Sequence, residues 1–191
     1  MIYTVTFNPA LDYIMRMDKP LEIGETNRSQ SEDIFYGGKG IHAVVDATGN
    51  LLRKTLCYHP FLIKPNRQEL ADLFGVTIES DAETVEYAQR LQDEGAENVL
   101  ISMGGDGAIL VDRDKNAYKL PAFRGTLKNS VGAGDSMVAG FLAGYEKEKN
   151  PETAFRLGSA AGSATAFHED LATKEQIEEL YGSGVQEIER L

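Results

Sequence analysis

The sequence predicts an α/β fold in which one sheet is layered with helices. Three observations predict it. From Pro60 onward, short apolar runs alternate with longer amphipathic stretches, the pattern of strands alternating with helices. The amphipathic stretches open on capping signals: Ser80 with Glu83, Asn150 before Pro151, and Thr173 with Gln176. Two of them stop on glycine, at Gly75 and Gly95.

Taken in order, Ile2 to Phe7 alternates apolar and β-branched residues and ends at Asn8-Pro9, so it reads as a strand. Tyr13 to Met17 and Glu32 to Tyr36 are short strand-like runs between polar and glycine-bearing turns, pieces of a small antiparallel sheet. Ala43 to Asp46 and Pro60 to Ile63 are short apolar strands. Asn66 to Phe74 is helical, and a second helix runs from the Ser80 capping box through Glu94. Asn98 to Met103 is a buried strand; Ala108 to Val111 and Ala117 to Leu120 form a hairpin pair. The next helix carries Asp135 near its start and presents Met137, Val138, Phe141, Leu142 and Tyr145 on one face. A helix with proline in its first turn runs from Pro151 toward Phe167, and a last one follows Thr173. No internal repeat or low-complexity tract interrupts this order.

Composition narrows the function. The chain has 191 residues, 42% apolar, enough for one domain with a real core. A net charge of −11 and no lysine or arginine cluster argue against a nucleic-acid partner. One cysteine, Cys57, excludes an intrachain disulfide framework, and with His42, His59 and His168 far apart it gives no zinc spacing. The start, Met-Ile-Tyr-Thr-Val-Thr-Phe, has no basic region or long apolar core of a signal peptide. No apolar run approaches the ~18 residues of a membrane span. The expected location is the cytoplasm, with no membrane partner.

Ser130-Val-Gly-Ala-Gly-Asp-Ser136 carries the chemistry. A flexible turn, Gly132-Ala133-Gly134, runs straight into a helix N-terminus that bears the carboxylate of Asp135. First-turn N–H groups lack intrahelical acceptors and sit at the positive end of the dipole, and glycines let an anion approach them. A carboxylate beside an anion pocket suits the removal of a proton from a hydroxyl that attacks phosphorus. It is equally an ordinary dipole partner at a helix start.

Four other stretches each have a plain reading and a functional one. Gly37-Gly38-Lys39-Gly40 lacks the Walker A spacing; it is a turn leaving a strand, or a close backbone approach with Lys39 supplying charge. Ser102-Met103-Gly104-Gly105-Asp106-Gly107 follows a buried strand and lacks the third glycine and helix of a dinucleotide fingerprint; it is a turn into the next strand or a ligand loop at the sheet's carboxyl edge. Asn66 and Glu69 are either a helix-capping pair or an amide and a carboxylate facing phosphates and hydrated Mg²⁺. Asp12 ends a strand, as an exposed turn residue or as an acceptor for sugar hydroxyls.

The order of these motifs resembles the ribokinase-like carbohydrate kinase family, also called the phosphofructokinase B family. Thr4-Val-Thr-Phe-Asn-Pro-Ala-Leu-Asp12 is similar to the opening of its 1-phosphofructokinase and tagatose-6-phosphate kinase branch, and Ser130 to Phe141 is similar to its catalytic signature. The resemblance runs through nearly all of the chain. It implies a ribokinase-like layered sheet with flanking helices, residues 1–10 and 42–191 forming the core and residues 11–41 a partial β lid. It implies transfer of the γ-phosphoryl of ATP, with Mg²⁺, to a sugar phosphate, with fructose 1-phosphate expected and tagatose 6-phosphate as the alternative. By matching position, Asp135 would be the base and Gly132, Ala133 and Gly134 the anion hole. Residues Ser102 to Gly107 would contact ATP together with Gly134. Asn66 and Glu69 would organise phosphates and magnesium, Glu69 indirectly. Asp12, Gly38 and Lys39 would face the sugar phosphate, and the lid would support a homodimer.

The chain departs from this family after Ile41. The family pattern continues Gly-Gly-Lys-Gly-x-Asn into a long helix, but here His42-Ala-Val-Val-Asp46 follows, a strand expected much later. Members run to roughly 300 residues, so a block on the order of 100 is expected to be absent between Ile41 and His42. Its loss would strip strands of partners and uncover apolar faces. The third expectation is therefore a catalytically impaired, nucleotide-binding fragment of such a kinase, with the ATP half better kept than the sugar half.

Overall fold

The computed structural model describes residues 4–6, 14–16, 31–33, 44–46, 49–183 and 187–191. Its order is β1 (Thr4–Thr6), β2 (Ile14–Arg16), β3 (Ser31–Asp33), β4 (Val44–Asp46), α1 (Gly49–Thr55), β5 (Leu62–Ile63), α2 (Arg67–Phe74), α3 (Asp81–Asp93), β6 (Asn98–Ser102), β7 (Ala108–Val111), β8 (Ala117–Leu120), α4 (Ala133–Glu148), α5 (Pro151–Ala166), α6 (Lys174–Gly182) and β9 (Glu189–Arg190). Short 3-10 turns lie at Leu56–Tyr58 and Gly104–Asp106.

Seven strands form one mixed sheet in the order β1-β4-β5-β6-β7-β8-β9. The first four are parallel: Val5 pairs with Val45, Val45 with Ile63, and Ile63 with Val99. From β6 onward the pairs are antiparallel, with Leu100 opposite Leu110 and Leu110 opposite Tyr118. β2 and β3 form a separate antiparallel pair, as their turn-bounded sequences predict.

Alternation along the strands divides the core into two layers. Ile63, Val99, Ile101, Ile109 and Val111 face the layer of α1, α2 and α3, where Leu52, Leu56, Leu70 and Leu91 are buried. Leu62, Leu100, Leu110 and Leu120 face the layer of α4 and α5, where Val138, Phe141, Leu142 and Phe155 are buried. Both faces are covered, which is why β6 and β7 read as continuous apolar runs. α4 and α5 approach at backbone distance: a methyl group on Gly158 would stand 2.7 Å from the Met137 carbonyl oxygen, and one on Gly140 2.9 Å from that of Leu157.

Two elements escape the sequence reading. α1 is only 7 residues long and buries one residue, Leu52, so no period shows. β9 is two exposed residues, Glu189 and Arg190, paired to β8. One expected strand is shorter than its apolar run: Pro60 to Ile63 yields only Leu62–Ile63. No helix among the described residues is long and apolar enough to cross a membrane.

Candidate active site

The parallel strands end at one edge of the sheet, and three chain segments meet there. β5 runs into Lys64-Pro65-Asn66, and β6 runs into Ser102. The Ser102 N–H donates to the Pro65 carbonyl at 3.2 Å, and Asn66, beyond the end of β5, forms a parallel bridge with Ser102 at the end of β6. The third segment is the turn into α4. This carboxyl edge is where open α/β sheets place ligands.

Asn66 caps α2. Its Oδ1 accepts from the Glu69 N–H at 2.8 Å, and Glu69 Oε2 accepts from the Asn66 N–H at 2.8 Å. The plain capping reading is thus realised, and it fixes both side chains on the first turn of α2, against the end of β6. Lys64 is buried one residue before Pro65. Its Nζ stands 2.9 Å from where a methyl group on Gly134 would lie. A cation from the end of β5 therefore sits against the glycine turn.

α4 begins on Gly132, with φ 77° and ψ −3°, a left-handed conformation that glycine adopts without strain. Gly132 offers no side chain to cap the helix, whereas α2, α3, α5 and α6 are capped by Asn66, Ser80, Asn150 and Thr173. The Gly134 and Asp135 N–H groups therefore meet no capping oxygen from that residue, while the Ala133 N–H donates to the Ser130 carbonyl at 3.2 Å. Asp135 is exposed at this same turn, on the solvent side of the helix start. Val131 (77% exposed) and Leu171 (65%) flank the turn with apolar surface.

The stretch Ser102–Gly107 is a tight closed loop. The Met103 N–H donates to the Gly107 carbonyl at 2.9 Å and the Gly107 N–H to that of Gly104 at 3.1 Å. Gly104, Gly105 and Asp106 are exposed at its tip. Behind it, Arg67 Nη2 donates to Asp81 Oδ1 at 2.6 Å and lies 2.7 Å from Met103 Sδ, while the Lys119 ammonium donates to Asp81 Oδ2. The Lys119 hydrogen bond, helped by Arg67, holds the Asp81 carboxyl below its ordinary range against the opposing push of partial burial.

The structure thus brings together Asn66, Glu69 and Ser102, and sets Lys64 against Gly134. Asp12, Gly38 and Lys39 lie outside the described residues. Lys64 had no role in the sequence reading, although a lysine ending the apolar run Phe61-Leu62-Ile63 was a visible signal. Among the described residues no three His, Cys, Asp or Glu side chains cluster as a metal site.

The pattern of the pfkB family of carbohydrate kinases matches residues 39–177. The 1-phosphofructokinase of Bacillus subtilis is 50% identical over 137 residues, covering 72% of this chain and 45% of that protein. The D-tagatose-1-phosphate kinase of Bacillus licheniformis is 40% identical over 163 residues, covering 82% of this chain and 53% of that protein. In structure, the chain is similar to phosphofructokinase-2 from Escherichia coli in complex with substrates and products, with a TM-score of 0.70, 30% identity, and coverage of 76% of this chain and 48% of that one. The chain spans about half the length of the curated relatives it matches.

Proposed function

The chain belongs to the pfkB family of carbohydrate kinases, and from that premise we propose that it transfers the γ-phosphoryl of ATP to a sugar phosphate, fructose 1-phosphate giving fructose 1,6-bisphosphate. The observation that carries the reading is the meeting of an uncapped, glycine-fronted helix start, an exposed carboxylate and a buried ammonium: Gly132, Asp135 and Lys64. Phosphoryl transfer asks little of a protein beyond positioning and charge stabilisation. The amide of Gly134, joined by that of Ala133 once it leaves the Ser130 carbonyl, would cradle the migrating group, and Lys64 would offset its charge. Asp135 would accept the proton of the attacking hydroxyl. In a loose transition state that transfer comes late, as the new P–O bond forms.

The loop Ser102–Gly107 would lie along the ATP, its exposed glycines allowing close backbone approach, and Val131 and Leu171 would offer apolar surface to the base. Mg²⁺ fits this set only as an ion shared with phosphates and water, because the described residues hold no carboxylate cage. Glu69, already held by the Asn66 N–H, would act on it through water. When bound, Mg²⁺ supplies neutralising charge on the phosphates. Asp12, Gly38 and Lys39 are assigned to the sugar phosphate, residues 1–10 and 42–191 to the core, and residues 11–41, with the β2–β3 pair, to a partial lid that supports a homodimer. A cytoplasmic location belongs to the same reading.

A second reading has its own support. The passage from Gly37-Gly38-Lys39-Gly40-Ile41 straight into His42-Ala-Val-Val-Asp46 supports an internal block missing after Ile41, and hence a nucleotide-binding chain impaired in turnover; coverage of about half of each relative agrees with a shortened chain. The relative named D-tagatose-1-phosphate kinase supports tagatose 1-phosphate as an alternative acceptor, and tagatose 6-phosphate stays as the alternative that the sequence motifs gave. Calorimetry with ATP, beside ADP release with fructose 1-phosphate and tagatose 6-phosphate, separates these readings. ATP binding with turnover supports the kinase; binding without turnover supports the impaired fragment; no ATP binding refutes both.

A further inference from the structure

We infer that Thr165 is a positioning residue for the Gly132–Asp135 turn, acting through one buried hydroxyl. The inference rests on the nucleotide reading above. Thr165 lies in the last turn of α5 and is 1% exposed. Its Oγ1 donates to Ser136 Oγ at 2.8 Å and accepts from the Ala172 N–H at 3.2 Å. Ser136 follows Asp135 directly. Ala172 follows Leu171, whose Cδ2 stands 2.5 Å from where a methyl group on Gly132 would lie. One hydroxyl therefore joins the start of α4 to the segment that backs the glycine turn.

A second tie closes the other side of Gly132. Asn129 Oδ1 accepts from the Val131 N–H at 3.0 Å, and Asn129 Nδ2 donates to the Glu169 carbonyl at 2.8 Å. Below the turn there is no slack: a methyl group on Gly162 of α5 would stand 2.9 Å from the Ala133 carbonyl oxygen. The turn is bracketed by Asn129 and Thr165 and floored by α5.

The chemistry of this bracket needs a hydroxyl. It donates and accepts at once, and burial makes each lost partner costly. Valine at this position has nearly the same shape and can do neither, leaving the Ala172 N–H and Ser136 without their partner. Thr165 touches no ligand itself. It acts on where the amides of Ala133 and Gly134 and the carboxylate of Asp135 stand, and small displacements of such groups are expensive. Because these amides meet phosphate rather than base, loosening the turn penalises ATP and spares adenosine.

The test is calorimetry on the full chain with MgATP and with adenosine, for the wild type, Thr165→Val, Thr165→Ser and Ser136→Ala, with circular dichroism to confirm folding. Thr165→Val is expected to weaken ATP about tenfold and to leave adenosine within about twofold. Thr165→Ser, which keeps the hydroxyl, restores ATP affinity to within about threefold. Unchanged ATP affinity in Thr165→Val, equal losses of ATP and adenosine, or a Thr165→Ser variant as weak as Thr165→Val overturns the inference. If Thr165→Val does not fold, Ser136→Ala decides: an ATP loss of about threefold with adenosine unchanged supports it, and wild-type affinity overturns it. A wild type that fails to bind ATP overturns the nucleotide reading itself and this inference with it, and that failure shows before any substitution is made.

Discussion

Replacing Gly107 with alanine should destabilise the chain by about 4 kcal/mol. Gly107 closes the Ser102–Gly107 loop with φ 91° and ψ −134°, a conformation L residues avoid. An added Cβ would stand 2.0 Å from the Leu120 carbonyl oxygen and 2.8 Å from Ala122 N and the Pro121 carbonyl carbon. All three are backbone atoms leaving β8, so no side chain can rotate away. An ordinary carbon–oxygen contact is about 3.3 Å, so backbone must shift by about 1.3 Å. The strained dihedrals cost about 1–3 kcal/mol and the overpacking about 1–3 more. Against a typical total of about 5–15 kcal/mol this is a large fraction, equivalent to about 8–16 °C in Tm. Gly105, two residues away, is the control: a methyl group there meets nothing within 4 Å. Gly105→Ala should stay within about 0.5 kcal/mol of the wild type. Urea denaturation followed by circular dichroism measures both. A Gly107→Ala midpoint equal to that of the wild type, or a Gly105→Ala variant equally destabilised, would refute the reasoning. Gly105→Ala then reports on the loop tip directly, because any loss of ATP affinity comes from the added methyl group.

Gly134→Ala should fold, since its clash is with the flexible tip of Lys64, 2.9 Å away, and should bind ATP about tenfold more weakly as Lys64 is pushed aside; calorimetry checks this, and unchanged affinity contradicts it. Asp81 should make stability depend on acid pH. Its carboxyl is held below the ordinary range by Lys119 and Arg67, so its contribution is present above pH ~4, its unfolded value, and is lost as pH falls through the lower folded value. Both ion pairs are a quarter or more exposed on each side, so the contribution is about 1 kcal/mol after solvent screening. The gap between wild type and Asp81→Asn in urea midpoint should therefore be open at neutral pH and shrink toward pH ~3; a gap independent of pH contradicts it.

Much of the fold was legible because local signals agreed with tertiary demands. The capping boxes at Asn66, Ser80 and Thr173 all form, and Gly75 ends α2 as read. The hairpin of Ala108–Val111 and Ala117–Leu120 appears with both strands at their expected bounds. α1 and β9 were not legible. Leu52 is the one buried residue of α1, and β9 is held by pairing to β8 and by the Arg190–Glu152 ion pair to α5, which no local pattern encodes. At the site, the glycine turn and Asp135 stood out because glycine before a helix is a local signature. Lys64 did not, because its contact with Gly134 joins residues 70 positions apart and depends on which elements are neighbours. The Thr165 bracket is non-local for the same reason. A threonine inside a helix reads as ordinary until Ser136 and Ala172 are placed beside it.

The most direct test of the kinase reading is turnover by Asp135→Asn, measured as ADP release with fructose 1-phosphate and paired with ATP calorimetry on the same preparations. Asparagine keeps the shape of the side chain and removes its ability to take a proton. The wild type is predicted to turn over, and Asp135→Asn to lose at least about 10²-fold in rate while binding ATP within about threefold of the wild type. Wild-type turnover by Asp135→Asn would contradict the assignment of this carboxylate as the base at the glycine turn.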